Sequence, residues 1–250
     1  MGKQGFVGIE NYADFATDSR FWGALGHTTF FTVIDTPLFV VTALVLGILA
    51  NRATCLKRTF RIIYYLPSVL SVSVIVYVGK YIFSPYTGLM NGLLHSIGIL
   101  APAEEILWFQ QAGLAWTAIT VMTVWWTVGF SMLLYLSALQ DIPQEVYEAA
   151  EIDGASKTTQ LFRITLPLLK STTWLVFFLQ MIACFKIFGQ IYMMTDGGPA
   201  QQTRPLVQYI YETAFERGRL GNAAAMANVL FVIILVMSLL QQWVERRKED

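Results

Sequence analysis

Between two long apolar runs lies a polar stretch, Glu148-Ala-Ala-Glu-Ile-Asp-Gly-Ala-Ser-Lys-Thr-Thr-Gln-Leu-Phe-Arg-Ile-Thr-Leu-Pro167. Its residue types suit docking rather than bond-making. Asp141 is placed to cap a helix start, and Pro143 to sit in its first turn, where a missing N–H costs least. Glu145 and Glu148 then fall near the positive end of the helix dipole. Val146, Ala149, Ala150 and Asp153 recur at three-to-four spacing and make a low-profile face that another surface could approach closely. Gly154 suits the left-handed residue that ends such a helix. Ser156 is placed to cap a second short helix, and Pro167 to open the next apolar run. An amphipathic helix pair without a partner would use the same local pattern.

A second set of polar residues lies inside the apolar runs and suits hydrogen bonding to a solute. Lys186 and Gln190 stand one turn apart, with Ala183 and Met193 on the same side, and Lys186 is about 12 Å from the outer end at 1.5 Å per residue. Thr120, Thr123, Thr127 and Ser131 share one helical face, which should turn away from lipid. Lys186, Gln190, Thr123 and Thr127 are the candidate solute path. Snorkelling of the lysine and helix–helix hydrogen bonding of the Thr/Ser stripe are the competing structural roles. Trp125 and Trp126, well inside their run, are weaker candidates for stacking, whereas Trp116 and Trp174 suit interfacial belts. Asp35, near the end of its run, reads as structural or interfacial. His27 and His95 are isolated, so no metal site is readable, and Cys55 and Cys184 cannot make a secreted-type disulfide framework. No Gly-x-x-x-x-Gly-Lys loop is present, so the chain binds no ATP by that motif. No catalytic constellation and no nucleic-acid-binding patch is evident.

The elements that must position these residues follow from composition. The chain has 250 residues, 55% hydrophobic and 14% charged, against about a quarter charged in a soluble domain. Five apolar runs are long enough to cross a bilayer, about 29–50, 62–83, 114–139, 172–194 and 223–244. Only Asp35, Lys80 and Lys186 are charged within them. With no water to satisfy the backbone, these runs must be helices, which predicts an all-α, polytopic membrane protein. Pro37 and Pro67 should kink the runs that contain them. Leu89, Leu93, Ile97 and Leu100 have the spacing of an interfacial helix.

Orientation follows from Lys and Arg. One side carries Arg52, Lys57, Arg58, Arg61, Lys157, Arg163, Lys170, Arg246, Arg247 and Lys248. The other carries Lys3, Arg20, Arg204, Arg217 and Arg219. The bias predicts a cytoplasmic 141–170 loop and C-terminus, and an external N-terminus.

The spacing of Glu148, Ala149, Ala150, Asp153 and Gly154, followed by Ile164, Leu166 and Pro167, resembles position for position the cytoplasmic coupling loop of ABC importer permeases. Phe6-Val-Gly-Ile-Glu-Asn-Tyr12 through Arg20-Phe-Trp22 to Thr32 resembles the segment after the first helix of the carbohydrate-uptake members. Phe60-Arg-Ile-Ile-Tyr-Tyr-Leu-Pro67, Phe83-Ser-Pro85, Gly88-Leu-Met-Asn91 and the turn Thr195-Asp-Gly-Gly-Pro199 with Thr203 are similar to the same group. The resemblance implies a type I importer permease fold, with an external segment at 1–28 and the transmembrane domain at 29–250. In the family another helix precedes the matched segment, so the family's first helix is expected to be missing from this sequence. The resemblance also implies a second permease subunit, two ATPase subunits that carry ATP and Mg, and an extracytoplasmic solute-binding protein, all at the inner membrane of a prokaryote. A sugar or related solute is the implied cargo. Amino-acid or peptide import is the alternative within the family, and an ion-coupled secondary transporter the alternative outside it.

Overall fold

The computed structural model describes residues 7–52 and 57–246. Cys55, Lys3, Arg247, Lys248 and the first residues of the 1–28 segment lie outside them. The described residues are helical, with no strand among them. The order is α1 (Glu10–Ala16), α2 (Ser19–Arg52), α3 (Lys57–Val69), α4 (Val72–Ile82), α5 (Leu89–Ser96), α6 (Ala112–Gln140), α7 (Gln144–Ile152) and α8 (Lys157–Gln160). A π-helical turn (Leu161–Thr165), α9 (Leu166–Leu168), α10 (Lys170–Phe185), α11 (Gly189–Thr195) and α12 (Leu206–Tyr211) follow, then a second π-helical turn (Glu212–Glu216) and α13 (Leu220–Arg246).

Among the described residues three helices are by themselves long and apolar enough to span a bilayer: Ser19–Asn51, Ala112–Gln140 and Leu220–Trp243. The other two expected spans are not straight. The 62–83 run is α3 and α4 meeting at 105° across Leu70 and Ser71. Pro67 lies just before this bend. Ser71 takes an extended conformation and its hydroxyl accepts from the Val74 N–H, so it starts a new helix instead of continuing the old one. The 172–194 run is α10, an interruption at 186–188 and then α11. The α8–α9 stretch meets α10 at 61°. With each bent pair counted as one, the described residues hold up to five spans.

The chain divides into two compact units. One comprises 35–70 and 123–181. Its core is Phe39, Ala43, Val128, Met132, Tyr135 and Leu136 with Leu169 and Val176. Close helix approach depends on glycine here: a Cβ on Gly129 would meet the Tyr64 carbonyl oxygen at 2.2 Å. Asp35 is fully buried in this unit, and Gln180 Nε2 donates to its Oδ2 at 2.8 Å. The sequence reading of Asp35 as structural agrees with that bond, but the residue is internal rather than interfacial.

The other unit comprises 1–34, 71–122 and 182–250. Trp116 stacks on Phe31, with ring centroids 5.5 Å apart. The segment around α1 is tied to α13 through Asp14, which accepts from Arg219 at 2.9 Å and Asn222 at 3.2 Å. The Gly88-x-x-Asn91 spacing has a local cause. Asn91 Nδ2 donates to Pro85 O, Glu105 Oε2 and Ile106 O, while its Oδ1 accepts from Trp108 Nε1 at 2.7 Å. Leu89 and Leu93 are exposed along α5, but the helix ends at Ser96, so the expected spacing does not run on: Ile97 is its exposed C-cap and Leu100 lies beyond it, half-buried. Arg204, Arg217 and Arg20 lie 4.9, 5.2 and 6.0 Å from the Tyr209 ring centroid, and Arg204 pairs with the buried Glu212 at 3.1 Å.

Candidate functional site

The polar stretch forms a helix, a turn and a second short helix, all within the 35–70 and 123–181 unit. The first helix starts two residues later than its sequence suggested. Asp141 N–H donates to Ser137 O, so Asp141 closes α6. Pro143, with φ −58 and ψ 137, occupies the cap position of α7 without a side-chain cap. Proline's fixed φ suits this entry and its missing N–H removes one orphan donor.

No residue of α7 is buried. Glu148, Ala149 and Asp153 are exposed, Ala150 is half-buried, and Ile152 is 88% exposed. The helix ends where the sequence predicts: Gly154 has φ +76, and Ala155 N–H returns to Ala150 O at 2.8 Å. Ser156 then caps α8, its Oγ accepting from Thr159 N–H at 3.2 Å. Lys157 donates to Glu151 Oε1 across the turn. That bond and the Gln160 amide hold the Glu151 carboxyl below its ordinary pKa.

Beyond the turn the chain passes through the π-helical Leu161–Thr165. Ile164 is half-buried there, while Leu166 and Pro167 belong to the three-residue α9. Pro167 therefore precedes the next membrane helix, which starts at Lys170 after the bend. The Tyr147 hydroxyl lies 3.0 Å from Thr165 Oγ1 and fastens α7 to this turn. A cavity of ≈ 460 Å³ opens behind the loop, lined among others by Asn51, Leu139, Tyr147, Lys157, Gln160 and Thr165.

The candidate path residues divide between the two units. Thr123 and Thr127 lie on α6 in the first-described unit. Thr127 Oγ1 donates to Thr123 O at 2.8 Å, the ordinary helical back-bond. Thr123 is buried, and its hydroxyl has no hydrogen-bond partner among the described residues. Lys186 and Gln190 lie in the other unit and do not share a helical face, because the helix is interrupted between them. Helix α10 ends at Phe185, and Phe188 has φ −151 and ψ −69. Lys186 is exposed at the interruption and Gln190 is half-buried in the first turn of α11. A hydropathy window averages over such a gap, so the sequence reading missed it. The signal available was Gly189, a poor interior helix residue.

Trp126 is engaged structurally, its Nε1 donating to Leu70 O at 3.2 Å. Trp125 is 39% exposed.

Long apolar helices, two bent spans and an exposed polar helix–turn–helix between α6 and α10 define a multi-pass membrane component. Residues 27–250 match the family described as the binding-protein-dependent transport system inner membrane component, and the chain belongs to that family. It is 33% identical over 238 residues to the probable ABC transporter permease protein YurN of Bacillus subtilis, covering 94% of this chain and 81% of that one. It is 35% identical over 243 residues to the multiple sugar-binding transport system permease protein MsmF of Streptococcus mutans, covering 94% and 80%. A crystal structure of a bacterial alginate ABC transporter, in complex with its alginate pentasaccharide-bound periplasmic protein, contains a chain of the same fold. It matches at TM-score 0.87 and 22% identity, over 96% of this chain and 83% of that one.

Proposed function

We propose that this chain is the permease subunit of an ATP-driven importer for a sugar or related solute. In this reading it works with a second permease subunit, two ATPase subunits that hold ATP and Mg, and an extracytoplasmic binding protein. The Glu148–Pro167 loop is the ATPase contact, and the residues around Lys186, Gln190, Thr123 and Thr127 border the solute path. No covalent change is made to the solute.

One observation carries the coupling role. Helix α7 buries none of its residues, although it presents Val146 and Ile152 to solvent and is braced by Tyr147. An apolar, small-residue surface presented in the open is suited to a cleft in a partner. ATP-driven movement of that partner would bias the membrane helices between inward- and outward-facing states through the brace. The names of the related sugar permease and of the alginate transporter support the carbohydrate class. The Lys and Arg bias supports a cytoplasmic loop.

The test uses the chain expressed with its proposed partner permease, ATPase and binding protein. Ile152→Cys should form an oxidant-induced cross-link to the ATPase. Ile152→Asp should abolish ATP-dependent uptake of labelled sugar while membrane levels stay normal. Full uptake by Ile152→Asp, with no cross-link from Ile152→Cys, would reject the loop as the contact.

A further inference from the structure

Four aromatic rings from two separate segments form a continuous ladder within the unit that contains α11 and α12. Phe188 stacks on Tyr192 with centroids 5.2 Å apart and planes at 27°. Both contact Tyr211, at 5.2 and 5.6 Å, and Tyr211 contacts Phe215 at 5.2 Å. The inner three rings are half-buried, and Phe215 is 72% exposed. We propose that this ladder is a binding track for the pyranose rings of the transported solute. It leads from the external surface to the interrupted fourth span. The proposal rests on the carbohydrate reading above and adds a site to it.

Three features favour a sugar ring over lipid as the occupant. First, the exposed end of the ladder stands among charged side chains: residues 215–220 are all exposed and include Glu216, Arg217 and Arg219. Such charges keep this end out of the acyl-chain region. Second, the other end lies in the interruption at 186–188, next to the exposed Lys186. Irregular backbone and a charged side chain at membrane depth are tolerated where protein buries them or an aqueous cavity receives them. The ladder therefore links two places where water is expected. Third, Tyr211 and Phe215 flank or occupy a π-helical turn, Glu212–Glu216. Such a bulge costs helix regularity and commonly marks a functional position.

The chemistry of the rings fits the same occupant. Phe215, largely exposed, offers an electron-rich face to the weakly positive C–H face of a pyranose, and the tyrosine hydroxyls further in give polar edges for its hydroxyl groups. A run of similar rings, instead of one deep pocket, lets a sugar step along without being held tightly.

The experiment uses the transporter assembled with its partner subunits in membrane vesicles, with Cys55→Ser and Cys184→Ala as background. Glu216→Cys, beside the intact ladder, is labelled with a water-soluble maleimide with and without lactose, maltotriose or cellotriose. Ile9→Cys, 80% exposed, is the control. Uptake of the same three sugars is measured in parallel for the background and for Phe215→Ala and Phe215→Tyr.

An imported sugar should slow labelling at 216 by roughly three- to tenfold, the scale of one aromatic contact, and leave position 9 unchanged. Phe215→Ala should remove the protection and lower uptake, and Phe215→Tyr should keep both. If a sugar is imported but labelling at 216 is unaffected and Phe215→Ala transports normally, the track is wrong while the carbohydrate reading stands. If none of the three sugars is imported and none protects, both fall together.

Discussion

The hydroxyls of Tyr147 and Thr165 meet at 3.0 Å although 18 residues separate them. Helix α7 is thereby fastened to the π-helical turn that leads into α10. Thr165 is buried and has a second, longer bond to Gln160 O at 3.3 Å. Tyr147→Phe should therefore leave the fold intact at a cost of about 1 kcal/mol while loosening the link between loop and membrane helix. The expected result is lower uptake per ATP hydrolysed, with ATPase turnover retained. Unchanged stoichiometry in vesicles would show that the brace carries no motion.

Gly154 separates two explanations for a sensitive loop. No heavy atom lies within 4 Å of the position a Cβ would take, so only its φ of +76 resists substitution within the chain. Gly154→Val should cost about 1 kcal/mol or more, whereas asparagine visits this conformation more readily. Uptake should fall with Gly154→Val and largely survive with Gly154→Asn. Equal loss in both would point to a crowded partner cleft as the cause.

Gly129 is the opposite case, limited by contact rather than by φ. Its would-be Cβ meets Tyr64 O at 2.2 Å and Tyr65 Cα at 2.7 Å. These are backbone atoms that a rotamer change cannot move. Gly129→Ala should push α3 away from α6 and destabilise the protein by roughly 1–3 kcal/mol. The check is the thermal midpoint in detergent, where an unchanged value would contradict this packing.

Asp18, just before α2, bonds to Tyr209 of α12 and gives a pH prediction. Burial pushes its carboxyl upward, but bonds from the Arg20 side chain and backbone and the Tyr209 hydroxyl outweigh this, holding it near a pKa of about 2 instead of 3.8. A depressed carboxylate contributes stability above its unfolded pKa and loses it as pH falls through the folded one. That contribution, about 1 kcal/mol after solvent screening, should be complete above pH ~4 and gone near pH ~2. Asp18→Asn should lower the thermal midpoint at pH 6 and flatten its decline between those limits. A parallel decline in both proteins would assign the acid sensitivity to other groups.

Much of this protein was legible from residues alone because the governing physics is local. Bilayer thickness makes an apolar run of sufficient length a helix, so α2, α6 and α13 could be read directly. The turn at Gly154 and the cap at Ser156 depend on a few neighbouring residues and were equally readable. The spacing from Glu148 to Pro167 located the exposed helix–turn–helix. Its α7 cap was misread because Pro143 sets its own φ, whereas Asp141 is claimed by the end of α6. Tertiary structure decided where the helices break. Hydropathy is an average, and it stays high across Leu70–Ser71 and 186–188, so it registers neither the 105° bend nor the separation of Lys186 from Gln190. Contacts between distant segments were also beyond reach. Gln180 bonds to Asp35 across 145 residues, and the rings at 188, 192, 211 and 215 meet only because α11 and α12 fold together. A side chain's partners depend on which surfaces pack, and periodicity specifies a face without naming what it meets.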